Sequence, residues 1–300
     1  MKNLLFLLFS LSALIAPAQP FNQEIARDDT SVLLGKINKD ILLNGTYKEW
    51  FETHYNEYQP NKEQLSIIKN KLPEYTITAF FGTWCGDSRE ELPRFYKVLD
   101  EANFPLARLT TVAVNNERDH YKQSPGGEEE GHTIHRVPTF IFYKDGKEVN
   151  RIVEHPVSSF EADVVEILQQ ENYIPNYQAV TTVSNTLAEM GLQKFQKKSK
   201  KLLPKLKKEA KSLSELNTYS SVLFYSEQKD EAIAVAKLNT LLYPEEAYTY
   251  ENLGNKLYLT HKLPEALEYY KKSFALNPKN ERVQKAIAKI EETQQEAKKY

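Results

Sequence analysis

The sequence of 300 residues contains one cysteine, Cys85. A single cysteine excludes an internal disulfide, a zinc site that takes two or more thiolates from this chain, and a redox cycle between two of its own thiols. The fold therefore has to be held by apolar cores, and 41% of the residues are hydrophobic. The length is about twice that of an average domain, which predicts two domains.

The charge of the chain argues against nucleic acid as a partner. Lys and Arg number 39 against 41 Asp and Glu, a formal net charge of −2, whereas nucleic-acid binding by bulk charge needs a basic balance. The one basic stretch runs from Lys194 to Lys211, with nine lysines and Glu209 as its only acid. Because Pro204 interrupts this stretch, we interpret it as the solvated face of a linker helix rather than a membrane or nucleic-acid surface.

The N-terminus has the layout of a secretory signal peptide. Lys2 precedes the apolar run Leu4–Ile15, and the following Ala16-Pro17-Ala18 is a cleavage site of the small-x-small type. The run is too short to cross a membrane, which takes about 20 apolar residues. We therefore expect residues 1–18 to be removed and the mature chain, which has no membrane span, to be exported to the periplasm or secreted.

Residues 45–172 alternate between patterns typical of helices and of strands. Tyr75–Phe81 is β-branched and aromatic, as in a buried strand, and Asp145-Gly146 between two such runs predicts a hairpin. The predicted elements are a helix at 47–58 after the N-cap Thr46, a helix after Asn61, a strand at 75–81, a helix at 86–102, a strand at 108–114, a loop at 115–133, a hairpin at 138–153 and a helix from Ser158 or Ser159 to Gln170. This order predicts a mixed central sheet with helices on both faces. Residues 19–44 are interpreted as an N-terminal extension with one short strand, Ser31–Leu34.

The C-terminal third is helical by its periodicity and contains a repeat. Glu231-Ala232 recurs as Glu265-Ala266, and Pro244 recurs as Pro278, both after 34 residues. This period and spacing resemble tetratricopeptide repeats. In the second copy the positions of the repeat pattern are filled by Tyr250, Leu253, Gly254, Ala266, Tyr270 and Pro278. We expect a Lys-rich helical linker at 173–212, then two repeats with a capping helix at 213–300. Such repeats bind peptides or proteins, and a structural or dimerising role is equally open.

Cys85 lies where the buried strand ends and a predicted helix begins. Backbone N–H groups at a helix N-terminus stabilise an anion, so a thiol at this position ionises more readily. Asp87 opposes this effect and Arg89 partly offsets Asp87, which leaves the sign of the net effect open. Ser88 follows one helical turn later, where its hydroxyl is able to donate to a thiolate.

Trp84-Cys85-Gly86-Asp87-Ser88 resembles the thioredoxin-family active site Trp-Cys-Gly-Pro-Cys. Pro93 falls where thioredoxins carry a proline in the active-site helix, and Val137-Pro138-Thr139 resembles the cis-proline loop of the family. The resemblance covers about residues 45–172 and implies a thioredoxin-like fold that needs no cofactor. It places Cys85 and Ser88 in the catalytic positions. Substrate-binding positions then fall on Trp84, Gly86, Val137, Pro138 and Thr139.

Ser88 stands where thioredoxins carry their second cysteine, which releases the product from the mixed disulfide. The first interpretation is therefore a monothiol oxidoreductase that exchanges with a thiol- or disulfide-bearing protein or small thiol and is resolved by an external thiol. The second is a redox-inactive thioredoxin-fold module that binds a partner in the cis-proline groove or at the repeats.

A third interpretation is a metal-binding chaperone. Cys85, His132 and His135 are a ligand set suited to Cu or Zn, and His135 is alternatively a base near the thiol. We favour the first interpretation, because Trp84 and Gly86 are retained around the thiol and a free exported cysteine is a liability unless it is used or buried.

Overall fold

The computed structural model describes residues 21–27, 30–170 and 172–297. A β-sheet with its helices (the sheet unit, up to residue 170) is followed by helices alone (the helical unit, from residue 172). The predicted signal peptide, residues 1–18, lies outside the described residues. No helix in the described part is long and apolar enough to span a membrane.

The described residues form six strands and twelve α-helices. The strands are β1 Gln23–Arg27, β2 Thr30–Ile37, β3 Thr76–Phe81, β4 Leu109–Ala113, β5 Thr139–Lys144 and β6 Lys147–Val153. The helices of the sheet unit are α1 Lys39–Leu42, α2 Lys48–Glu57, α3 Lys62–Lys71, α4 Gly86–Glu101 and α5 Phe160–Gln169. Those of the helical unit are α6 Gln178–Lys198, α7 Leu203–Glu209, α8 Ser214–Tyr225, α9 Lys229–Leu242, α10 Ala247–Leu259, α11 Leu263–Leu276 and α12 Glu281–Ala297.

The six strands form one mixed sheet in the order β1-β2-β4-β3-β5-β6. Strands β3 and β4 are parallel, and every other neighbouring pair is antiparallel. The predicted mixed sheet is therefore confirmed. Strand β3 lies inside the sheet, between β4 and β5. The chain that leaves its carboxyl end therefore emerges in the middle of one sheet edge, and Cys85 follows there.

The segment interpreted as an N-terminal extension contributes two strands to this sheet. Gly35 and Lys36 of β2 pair with Ala113 and Val112 of β4, and β1 then pairs with β2. The predicted strand Ser31–Leu34 lies within β2, whereas β1 was not predicted. Its sequence, Gln-Glu-Ile-Ala-Arg, forms an edge strand with no fully buried residue, so it carries no apolar run for a pattern to detect.

The two faces of the sheet are covered in different ways. One face, which carries Ile77, Ala79 and Phe81 of β3, packs against α2, α3, α4 and α5 in a single apolar core. The other face carries Phe80, which packs against the loop residues Ile134 and Val137 and beside Trp84 and Cys85. The loop segment 115–137 on this face also hydrogen-bonds to α8 of the helical unit.

Local signals place most of the boundaries. Asp145 and Gly146 both have positive φ, 51° and 75°, as the tight turn of a two-residue hairpin requires. The side chain of Ser159 accepts a hydrogen bond from the Ala162 N–H at the start of α5. Thr46 is not the N-cap of α2, contrary to the prediction. It lies in a 3₁₀ turn, Gly45–Tyr47, and α2 begins after Tyr47 without a side-chain cap.

The helical unit consists of α6 and α7 followed by two antiparallel helix pairs, α8–α9 and α10–α11, and by α12. Ala232 and Ala266, at equivalent places of the two pairs, are fully buried. A Cβ atom on Gly254 would lie 2.8 Å from the Tyr270 ring, so α10 and α11 approach closely only because residue 254 is glycine. Helix α6 departs from helical geometry at Gly191, where φ is 70°.

In the lysine-rich stretch between residues 194 and 211, the lysines face solvent and apolar side chains are buried. Every lysine of this stretch is exposed. Phe195 and Leu206 are fully buried in the core of the helical unit. This division agrees with the interpretation as a solvated face whose apolar residues dock on the neighbouring helices.

The two units contact each other through the loops that follow β4 and precede β5. Arg118 and Gln123 hydrogen-bond to the hydroxyl and carbonyl oxygens of Tyr225 in α8. Arg136 donates to the hydroxyl of Ser214 at 3.1 Å. The segment 115–137 is thus held between the sheet and the helical unit.

Truncation of a central core side chain tests this packing. Phe95 of α4 is fully buried, with its ring centroid 4.2 Å from that of Phe140 and 5.3 Å from that of Phe160. We expect Phe95→Ala to lower the free energy of unfolding by about 3–5 kcal/mol, because it leaves a cavity among aromatic rings. The measurement is urea denaturation followed by circular dichroism. Leu106→Ala, at a side chain that is 41% exposed, should change it by less than about 1 kcal/mol.

Candidate active site

Cys85 occupies the N-cap position of α4, as the sequence predicts. Its backbone is extended, with φ −96° and ψ 128°. The Cys85 N–H donates to the Gly82 carbonyl at 2.9 Å, and the Arg89 N–H donates to the Cys85 carbonyl at 3.1 Å. The turn after β3 and the first turn of α4 therefore share Cys85, which fixes the direction of its side chain.

The Cys85 sulfur lies against the loop that contains Pro138. Its Sγ is 3.4 Å from the Val137 carbonyl oxygen and 3.7 Å from Oδ2 of Asp87, and the residue is partly exposed. The Val137–Pro138 peptide bond is cis, as the resemblance implied. Thr139 is buried and donates its hydroxyl to the Arg136 carbonyl at 2.8 Å. The structure thus brings the thiol and the predicted cis-proline loop together.

Ser88 supports the turn rather than the sulfur. Its side chain is fully buried, and its Oγ accepts a hydrogen bond from the Gly82 N–H at 3.1 Å. In the described part of the chain, the hydrogen-bond partners of Cys85 Sγ are Asp87 and Val137, so the expected donation from Ser88 is not made. Ser88 connects the start of α4 to the end of β3.

Trp84 and Gly86 flank the thiol on its two sides. The Trp84 indole N–H donates to the Val114 carbonyl at 2.8 Å, which attaches the ring to the end of β4. A Cβ atom on Gly82 would lie 2.4 Å from the Trp84 ring, so the ring position requires glycine there. A Cβ atom on Gly86 would meet nothing within 4 Å, which leaves open space beside Cys85.

Arg89 bonds to the backbone of the turn rather than to Asp87. Its Nε donates to the Thr83 carbonyl at 2.6 Å, and no ion pair joins it to Asp87 among the described residues. The Asp87 carboxylate therefore faces the sulfur without that arginine as its partner.

The structure does not gather the three residues proposed as metal ligands. His132 lies 3.3 Å from the Tyr143 hydroxyl through its Nδ1, and His135 lies 3.2 Å from the Thr133 carbonyl through its own Nδ1. No group of three or more His, Cys, Asp and Glu side chains is placed to hold a metal ion in the described part of the chain. The geometry gives the metal interpretation no support.

His135 is a buried residue between the two units. Its ring contacts the rings of Tyr177 and Tyr219 edge-on at 5.5 Å and 6.4 Å, and its Nε2 finds no hydrogen-bond partner among the described residues. Burial lowers the pKa of His135 to about 3, so the ring is neutral at physiological pH. Its contacts are those of an interface residue, not of a base for Cys85.

Lys122 is a residue of this site that the sequence interpretation missed. It lies in the predicted loop after β4 yet is only 5% exposed. Its Nζ is 5.2 Å from the centroid of the Trp84 ring and 5.2 Å from that of Tyr121. Burial lowers the pKa of Lys122 to about 8. A lysine between polar neighbours in a loop is predicted to be exposed, so no sequence signal indicated the burial of Lys122.

Arg136 and Glu154 complete the charged surroundings. Arg136 pairs with Glu154 at 3.3 Å, and the Glu154 N–H donates to the Pro138 carbonyl at 2.7 Å. Burial raises the pKa of Glu154, while Arg136 opposes that rise. This ion pair links the cis-proline loop to the end of β6.

The mixed sheet, the N-cap cysteine after its central strand and the cis-proline beside the sulfur define a thioredoxin-like fold. A 103-residue segment is 32% identical to a thioredoxin H-type of Picea mariana, covering 34% of this chain and 72% of that protein. The chain therefore belongs to the thioredoxin family. No family model matches it.

Two further relatives match over shorter segments. Thioredoxin-2 of Pyricularia oryzae is 28% identical over 83 residues, which are 28% of this chain and 43% of that protein. Thioredoxin of Neurospora crassa is 29% identical over 80 residues, which are 25% of this chain and 54% of that protein. The chain thus spans about half the length of these two relatives.

The buried His135 predicts a pH dependence of stability. Its pKa in the folded chain, about 3, lies below the value of about 6.5 in an unfolded chain. The unfolded state therefore binds more protons between pH 6.5 and 3, so this residue makes stability fall as the pH falls through that range. From pH 7 to pH 5 its contribution is a loss of about 2 kcal/mol.

The measurement is urea denaturation at pH 7 and pH 5 for the unmodified chain and for His135→Gln. We expect the variant to lose about 2 kcal/mol less between the two pH values, because other titrating groups such as Glu91 are common to both chains. His120→Gln, at an exposed histidine, should leave the pH dependence unchanged. Equal pH dependence in the unmodified chain and the His135 variant would contradict the assignment.

Proposed function

We propose that this protein exchanges thiols and disulfides through Cys85 alone. The observation that carries the proposal is the position of the sulfur: partly exposed at the N-cap of α4 and 3.4 Å from the carbonyl before the cis-proline. Family membership supports the same class of chemistry. The single cysteine limits it to a monothiol cycle.

The exchange proceeds in two steps. The Cys85 thiolate attacks one sulfur of a substrate disulfide, which forms a mixed disulfide with Cys85 and releases the other sulfur as a thiolate that takes up a proton. The thiolate of an external molecule then attacks the substrate sulfur of the mixed disulfide. A new disulfide forms on the substrate, and Cys85 leaves as a thiolate. Ser88 has no sulfur with which to replace the external thiol.

The substrate site of this proposal lies around the open space beside Gly86. Trp84 precedes Cys85 in the chain, and the carbonyl of Val137 in the cis-proline loop lies 3.4 Å from the Cys85 sulfur. The side chains of Val137 and Thr139 are buried, so their contribution to substrate binding comes from backbone groups. A protein or small-molecule disulfide is the expected substrate.

We propose that the helical unit is a short tetratricopeptide module that selects partners for this site. Its two helix pairs, the buried Ala232 and Ala266 and the close contact of Gly254 with Tyr270 support the repeat assignment. Its first pair holds the loop 115–137 through Tyr225 and Ser214. A peptide or protein bound to the module is thereby brought near Cys85.

The proposed monothiol cycle predicts the fate of an adduct with glutathione disulfide. The unmodified chain should accumulate one glutathione adduct, and Cys85→Ala should accumulate none. Ser88→Cys should shorten the lifetime of the adduct at least about tenfold, because the new thiol is one helical turn from Cys85 and attacks it intramolecularly. Intact-mass spectrometry over time measures all three chains.

Two results would decide against this proposal. If Cys85 forms the adduct no faster than N-acetylcysteine does at pH 7, the thiol is not activated, and the redox-inactive binding module becomes the better interpretation. If the adduct of the unmodified chain disappears without an added thiol, the cycle is not limited by the missing second cysteine.

We also propose that the chain is exported, on the evidence of its first 18 residues alone. Expression of the chain with residues 1–18 included should give a mature protein that begins at Gln19, measured by intact mass and N-terminal sequencing. Leu8→Arg should leave the precursor uncleaved, because a charge interrupts the apolar run. Leu106→Arg, outside that run, should not affect processing. A mature chain that still begins at Met1 would contradict the proposal.

A further inference from the structure

Lys122 is held in place by its own backbone rather than by chance packing. It has a left-handed backbone with φ 59°, which is uncommon for a residue other than glycine. Its N–H donates to the Asn115 carbonyl at 2.8 Å, and the Asn115 N–H donates to the Gln123 carbonyl at 2.8 Å. Asn115 is buried and also accepts a hydrogen bond from Arg27 at 2.7 Å. The loop therefore presents the Lys122 side chain in one direction.

The Lys122 amine faces aromatic rings. Its Nζ lies 5.2 Å from the ring centroids of both Trp84 and Tyr121, within the range of a cation–π interaction. No salt bridge to Lys122 occurs between the residues that the structure describes. Burial without a bonded counter-ion favours the neutral amine, and a nearby anion favours the charged one.

Of the anionic groups around Lys122, Cys85 and Asp87 have no bonded cation among the described residues. Glu154 is paired with Arg136, and His135 on the other side is neutral. Among the nearby charges, Cys85 raises the pKa of Lys122 most, ahead of Glu154 and Asp87. Opposite charges attract, so a positive charge at Lys122 favours a negative charge at Cys85.

We propose that Lys122 is the counter-ion of the Cys85 thiolate. The Trp84 ring, over which the Lys122 amine lies, holds that amine in place. This inference rests on the proposed thiol exchange. A thiolate at Cys85 needs a nearby positive charge because the Asp87 carboxylate, 3.7 Å from Sγ, repels it. Arg89 is bonded to Thr83 instead, so Lys122 supplies the positive charge that the sequence assigned to Arg89.

The experiment is the rate of alkylation of Cys85 by iodoacetamide as a function of pH, measured by mass spectrometry on the full chain. Lys122→Met should raise the midpoint of the rate profile by about half to one pH unit, which lowers the rate at pH 7 about three- to tenfold. Lys122→Arg should keep the midpoint within about 0.3 unit, because the charge is retained. Asp87→Asn should lower the midpoint.

Lys144→Met is the matched control. The Lys144 amine also lies 5.2 Å from an aromatic ring, that of Tyr75, but at the other end of β5 from Pro138. Its profile should equal that of the unmodified chain. Near-ultraviolet circular dichroism verifies the fold of each variant, and Lys122→Gln replaces the methionine variant if that chain does not fold.

An unchanged midpoint in a folded Lys122→Met or Lys122→Gln chain would overturn the assignment. So would the same shift in Lys144→Met, since the effect would then be general. The outcome is separable from the proposed function, because alkylation measures the thiol and not its exchange. A shifted profile in a chain that forms no glutathione adduct would retain the role of Lys122 and remove thiol exchange.

Discussion

The contact between the Cys85 sulfur and the Val137 carbonyl depends on two parts of the chain that are distant in sequence and meet at one edge of the sheet. The first part is the turn from β3 into α4, which Ser88 fastens to Gly82. The second is the loop before β5. Thr139 and Glu154 hydrogen-bond to it on one side, and the Arg136–Ser214 hydrogen bond joins it to the helical unit on the other. A change in either support moves the sulfur relative to the cis-proline.

The helical unit acts on the same contact from outside the sheet. Its helix α8 hydrogen-bonds to Arg118 and Gln123 in the loop that carries Lys122. Tyr219 of the same helix packs against His135, which lies two residues before Val137. A separate peptide-binding module on a flexible tether has no such effect. Here the segment that covers the second face of the sheet is also the surface on which the helices rest. Binding to the helices therefore has a direct physical route to the surroundings of the thiol.

Sequence patterns predicted those parts of the fold that are governed by local rules. The buried strand before Cys85, the Asp145-Gly146 hairpin and the proline before β5 each have a local cause, and the structure has all three. Strand β1 and Lys122 were missed because their positions depend on distant partners. β1 is an edge strand stabilised by pairing with β2, and Lys122 is buried by the rings of Trp84 and Tyr121. Arg89 was assigned by proximity in sequence, whereas the helix directs it to Thr83.

Because Ser88 stands in place of a second cysteine, the charges around Cys85 have a larger part in stabilising its thiolate. In a dithiol site an internal attack by the second thiol ends the mixed disulfide. With Ser88 buried and bonded to Gly82, that attack is not available. In the exchange that we propose, the stability of the thiolate depends on the helix N-terminus and on nearby charges, of which Asp87 repels it and Lys122 attracts it. A balanced pair of this kind keeps the thiolate a good nucleophile and also a good leaving group, and the proposed cycle needs both, since it begins with the attack of Cys85 and ends with its departure.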